Sequence, residues 1–167
     1  MERLLMISAS FILSSSILFS CGSSNEKSIS EVQFDTKRVG EEKYGFIDVP
    51  DNWEQVEDTQ ANGNNVIMFN APDQSSIITM QYLKDTDAVT SSMNLGMMLD
   101  ETLTDLTSAA CEFSGTKAYQ LGGLDSETGR IMACWLFDDE KNLTHVVSIE
   151  SSDENILQLC DTYMLDK

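Results

Sequence analysis

The sequence predicts an α+β domain in which a mainly antiparallel sheet is flanked by helices. Three observations carry that expectation. Short apolar runs rich in Ile, Val, Phe and Tyr stop at clusters of Pro, Asn, Asp or Gly, the punctuation of strands. One stretch instead repeats its apolar residues every three or four positions. The resulting order is strands, helix, strands, helix.

The domain is expected to start near Tyr44. YGFIDVP has strand composition and stops at Pro50, and DNWEQVE continues past a turn with Trp53 and Val56 apolar. ANGNN, at 61–65, is turn chemistry and introduces NVIMFNAP, a strand ended by Pro72 and Asp73. SSIITMQYL follows at once, so the two runs read as an antiparallel hairpin. Asp87 can cap a helix over about 88–107, with Val89, Met93, Gly96, Leu99, Leu103 and Leu106 on its buried stripe. Gly96 weakens that helix and suits a close approach to the sheet.

The second half begins with CEFSGTKAYQLGG, read as a single strand, and turns within GLDSETG. RIMACWLFDD is apolar on both faces, as a central strand covered on both sides should be. DDEKN turns the chain into LTHVVSIE, where Leu143, His145, Val147 and Ile149 share one face. Ser151 offers a cap, with Glu154 completing a capping box. A last helix over ENILQLCDTYML then carries Ile156, Cys160 and Tyr163 on one stripe.

Charge narrows the function. The chain has 28 acidic and 10 basic residues among 167, a net charge of −18. Such a balance opposes binding to nucleic acid, where basic side chains must neutralise phosphates. It equally opposes adhesion to an anionic membrane by charge alone. No nucleic-acid partner is expected.

The first 20 residues read as a leader outside the fold. Leu4 to Phe19 are apolar with interspersed serines, follow Arg3, and are too short for a spanning helix, which needs about 20 apolar residues. The run ends in Leu18-Phe19-Ser20-Cys21, which resembles the lipobox of bacterial lipoproteins: aliphatic three before the cysteine, small just before it. Phe19 is bulkier than that pattern's usual middle residue. The resemblance implies cleavage between Ser20 and Cys21 and a diacylglyceryl group on the Cys21 thiol. Two acyl chains, at about 0.8 kcal/mol per buried CH₂, anchor a protein stably. The expected location is therefore the extracytoplasmic face of the cell membrane, with lipid on Cys21 as the membrane contact.

Residues 21–40, CGSSNEKSISEVQFDTKRVG, are polar after the cysteine and read as a tether, which would span about 25 Å root-mean-square. The alternation of Val32 and Phe34 leaves open an edge strand there. Residues 41–167 form the single folded domain. With Cys21 given to lipid, Cys111, Cys134 and Cys160 remain, too few for a disulfide-stapled scaffold, and their pairing is open.

GFIDVPDNW, GTKAYQLGG and ACWLFDDEKNLTHVVSIE, followed by a terminal helix, together resemble the Mog1/PsbP-like α-β-α sandwich domains of many bacterial lipoproteins. That resemblance spans roughly 40–167. It implies a sandwich that binds protein partners, since members bind partners as different as a small GTPase and photosystem subunits. It brings no catalytic signature.

The residues offer little chemistry of their own. A thiol mechanism would have to join Cys111 or Cys134 to the sole histidine, His145, and to Arg130. This cysteine–histidine envelope enzyme is the alternative to a non-catalytic binding module. A cation- or solute-binding lipoprotein is the other. Its oxygen-rich candidates are KDTDA, with Asp85 and Asp87, and FDDEKN, with Asp138, Asp139 and Glu140. Neither matches a calcium loop, and a helix cap and a turn account for them, so no metal or cofactor is expected. Met68, Met80, Met93, Met97 and Met98 can furnish an adaptable binding surface, but helical spacing favours core packing.

Overall fold

The computed structural model describes residues 35–56 and 66–166. Among the described residues, nine strands, one α-helix and a terminal 3₁₀ segment form three layers. The middle layer is a seven-stranded antiparallel sheet in the order β3-β4-β5-β9-β8-β7-β6. Its members are β3 (Glu54–Val56), β4 (Val66–Asn70), β5 (Ser76–Leu83), β6 (Leu103–Phe113), β7 (Thr116–Asp125), β8 (Ile131–Asp138) and β9 (Thr144–Ser151). A two-stranded ribbon, β1 (Thr36–Glu41) with β2 (Gly45–Pro50), and the 3₁₀ segment Glu154–Thr162 cover one face. Helix α1 (Ala88–Leu99) covers the other. The predicted α+β sandwich is what the chain forms.

Period-two alternation explains why β8 is central. Ala133, Trp135 and Phe137 face the larger core beneath the ribbon, while Cys134 and Leu136 face α1. The larger core stacks aromatic rings: Phe113 lies 5.1 Å from Trp135 and 5.4 Å from Tyr163, centroid to centroid. The Tyr163 hydroxyl donates to the Tyr44 carbonyl at 2.8 Å, tying the chain's end to the ribbon. The β4–β5 hairpin forms as the sequence suggested, closed by a turn in which Asp73 accepts from the Ser75 N–H at 3.0 Å.

Five expectations need correction. The ribbon strand β1 begins at Thr36, so the folded domain starts before residue 41 and its first strand takes up the end of the supposed tether. Helix α1 stops at Leu99, not Thr107. Leu103 and Leu106 belong to β6, where β-branched Thr104 and Thr107 suit strand pairing with β7 better than a helix. The run CEFSGTKAYQLGG is a hairpin, not one strand. Ser114 (φ 51°) and Gly115 (φ 76°) make a two-residue turn with both residues left-handed, the geometry that matches strand twist. Ser151 is the last residue of β9, and the cap of the terminal segment is Asp153, whose carboxylate accepts from Asn155 N–H at 2.9 Å. That segment is 3₁₀ and ends at Thr162 instead of running on as an α-helix.

Candidate functional site

Ser20 and Cys21, the cleavage and lipid-attachment residues, lie outside the described residues. The candidate cysteine–histidine–arginine set lies within them, and the fold pulls it apart. His145 is buried on the larger-core face of β9 and stacks on Phe137 at 5.3 Å. Its Nε2 is 3.2 Å from Asp139 Oδ2, and its Nδ1 has no protein partner. Cys134 points to the opposite face, against α1, where burial pushes its thiol up to about 12. Cys111 shares the face of His145, but the strand register places Ala118 and Phe137 between them. Three strand spacings amount to roughly 14 Å, far outside hydrogen-bond reach. Arg130 precedes β8, whereas Phe137, opposite His145, stands near that strand's other end, roughly 23 Å away along it. The Arg130 guanidinium donates to the Gln74 carbonyl.

The two acidic stretches do meet, and the purpose is structural. Asp87 caps α1, accepting from Thr90 N–H at 2.8 Å and Thr90 Oγ1 at 2.9 Å. Asp138, from the end of β8, accepts from Ala88 N–H at 3.0 Å and Thr144 Oγ1 at 2.7 Å. The helix N-terminus is thus held to the sheet by a carboxylate favoured by its dipole. Asp139 accepts from the N–H groups of Lys141 at 2.8 Å and Leu143 at 2.9 Å. Burial alone would push the Asp139 carboxyl up, but those donors and the His145 ring outweigh it and hold the group below its usual range. Among the described residues no cluster of three or more His, Cys, Asp or Glu side chains is placed to hold a metal ion.

The surface that stands out is one the helical spacing had assigned to the core. α1 buries only Ala88, Ser91 and Ser92. Its methionines Met93, Met97 and Met98 are 66%, 67% and 70% exposed, and Val89 is 45% exposed. Met80 does lie in the larger core. The physical reason is the short helix: once Leu103 and Leu106 belong to β6, α1 needs only a narrow stripe, Ala88, Ser91 and Ser92 with the half-buried Leu95 and Leu99, to sit on Leu121, Cys134, Leu136 and Val146. Nor does Gly96 mark a forced close approach, since a Cβ there would meet only Leu121 Cδ2 at 3.9 Å.

A single helix leaves open grooves on both of its sides. One, of about 560 Å³, runs between α1 and the β6–β7 hairpin and is lined by Val89, Met93, Met97, Leu106, Tyr119 and Leu121 among others, none of them charged. The second, of about 520 Å³, lies toward β5 and is lined by Leu83, Lys84, Asn94, Leu95 and Met98 among others. The signal for this surface was present in the sequence: α1 carries three methionines and no charged residue between Ala88 and Leu99. What could not be read was which way those methionines faced.

No family profile and no curated protein sequence matches the chain. Solved structures do. The cyanobacterial PsbP (CyanoP) of Synechocystis sp. PCC 6803 aligns over 88% of this chain and 98% of its own, at TM-score 0.57 and 12% identity. LpqN of Mycobacterium tuberculosis, described as involved in cell envelope biogenesis, aligns over 70% of this chain and 75% of its own, at TM-score 0.34 and 16% identity. The first of these likenesses shows the fold: an α+β sandwich of PsbP type. At such identity it says nothing of activity.

Proposed function

We propose that this protein is a non-catalytic binding module held at the extracytoplasmic face of the cell membrane by lipid on Cys21, and that it works by engaging another protein. The exposed methionine face of α1 carries the reading. Monomeric domains seldom expose a contiguous apolar patch without a use for it, and methionine's flexible, polarisable side chain suits a surface that must adapt to a partner. Two further facts support binding over chemistry. The residues from which a thiol enzyme would be assembled lie on different faces or at different ends of the sheet. Of the acidic residues considered for a cation, Asp87, Asp138 and Asp139 are occupied as caps and turn acceptors.

The anchor rests on Leu18-Phe19-Ser20-Cys21 and on the apolar leader before it. Cys21→Ala should abolish incorporation of radiolabelled palmitate and shift the protein from the membrane to the soluble fraction. Unchanged membrane retention of the alanine variant would overturn the lipid anchor.

A further inference from the structure

The methionine groove ends at β6, an edge of the sheet as described. β6 is the last strand of the sheet, and among the described residues no strand pairs with its outer side. Edge strands are normally guarded by charge, proline, a β-bulge, short length or a covering element. The other edge, β3, is three residues long. β6 has 11 residues and is irregular between Thr104 and Thr107, where Asp105 is left-handed (φ 54°); past that bulge its uncharged run, LTSAAC from Leu106 to Cys111, carries no proline. Thr107, Ser108, Ala109 and Ala110 are exposed. Ser108 and Ala110 pair with Leu121 and Tyr119 and so lie on the α1 side, where they form a low floor beneath Met93 and Met97. A strand laid along β6 would therefore gain backbone hydrogen bonds from the edge. Every second side chain would turn toward the methionine wall.

Charge selects the occupant. Asp105 stands at one end of the uncharged run, with Asp100 and Glu101 a few residues before it and no basic residue between Ala88 and Glu112. Glu112 stands at the other end, tempered by Lys117 across the hairpin. A second copy is disfavoured. Antiparallel pairing centred on Ser108 and Ala109, which uses the whole uncharged run, brings the bulge that carries Asp105 in each copy toward Glu112 of the other, in molecules of net charge −18.

We propose that the outer edge of β6, together with the groove between it and α1, docks an extended segment of a partner protein, added as an eighth strand of the sheet, with alternating apolar residues and a basic residue at the Asp105 end. This deepens the binding reading above and rests on it.

The probe is a fluorescent peptide of alternating valine and threonine with a lysine at each end, titrated by anisotropy against the full chain in detergent micelles. It should bind with a dissociation constant below about 1 mM. The same peptide with glutamate ends should bind about fivefold more weakly at low salt. Asp105→Asn combined with Glu101→Gln should narrow that difference. In an antiparallel edge, successive N–H groups point alternately inward and outward. Of Ser108→Pro and Ala109→Pro, the one that keeps the wild-type melting temperature should therefore abolish binding. Equal affinity for the two peptides, binding unchanged by the folded proline variant, no binding of either peptide, or a dimer in sedimentation that persists in that variant would each overturn the proposal. So would tighter binding of a peptide locked as a helix.

A photo-cross-linker at Met97 and another at Glu42, which lies in the β1–β2 turn, separate this failure from that of the binding reading. Protein cross-links in native membranes at neither position would sink both. Cross-links at Glu42 alone would leave the binding reading standing and remove β6 as its site.

Discussion

Gly45 shows how much one residue can decide. Its φ of 85° lies in the left-handed region, and a Cβ there would run into the Tyr163 ring that closes over the ribbon. Gly45→Ala should destabilise the fold by about 2–4 kcal/mol, read from the denaturant midpoint. A loss under half a kilocalorie would show that the Tyr163 lid yields freely. Asp139 gives a pH-dependent counterpart. Its folded-state carboxyl is held below the ordinary range, so its contribution is present above the unfolded value and disappears as pH falls through the folded one. The stability gap between wild type and Asp139→Asn, about 1–2 kcal/mol at pH 7, should close as pH drops below about 4. A gap constant from pH 7 to pH 3 would contradict the ionised acceptor. Neither residue's role was visible in the sequence. Gly45 depends on a ring 118 positions away along the chain, and Asp139 on the strand register that sets His145 beside it.

Among the elements, strands with strong local chemistry were legible and boundaries set by tertiary pairing were not. β8 read correctly as central because both of its faces are apolar, and the β4–β5 hairpin because Pro72 and Asp73 punctuate it. The helical reading runs past Leu99 because Leu103 and Leu106 keep a helical spacing of three, which a strand accepts only through the bulge between Thr104 and Thr107. Pairing with β7 decides the matter. The Ser114-Gly115 turn was overlooked although that dipeptide is a recognisable turn signal. With the helix in its true position, Gly96 becomes testable. It has room for a methyl group and no positive φ, so Gly96→Ala should raise stability by about 0.5–1 kcal/mol through helix propensity. Thermal melts check it, and a destabilised alanine variant would mean that α1 sits closer to Leu121 than the geometry indicates.

On the scale of the whole molecule, the sheet has two unlike sides. Beneath the ribbon and the 3₁₀ segment lies a thick aromatic core that fixes the structure. Under α1 lies a smaller cluster, flanked by two grooves and topped by exposed methionines. Such a division suits a rigid scaffold that presents one adaptable face. The sandwich class followed from element order, but the methionine face emerged only once the helix had its true length. The measurement that tests this account most directly is a methyl NMR titration of the full chain, labelled at methionine, with the lysine-ended peptide. Met93 and Met97 should shift progressively while Met80, buried beneath the sheet's other face, stays fixed. Shifts confined to Met80 or to methionines away from α1, or no shift at saturating peptide, would contradict it.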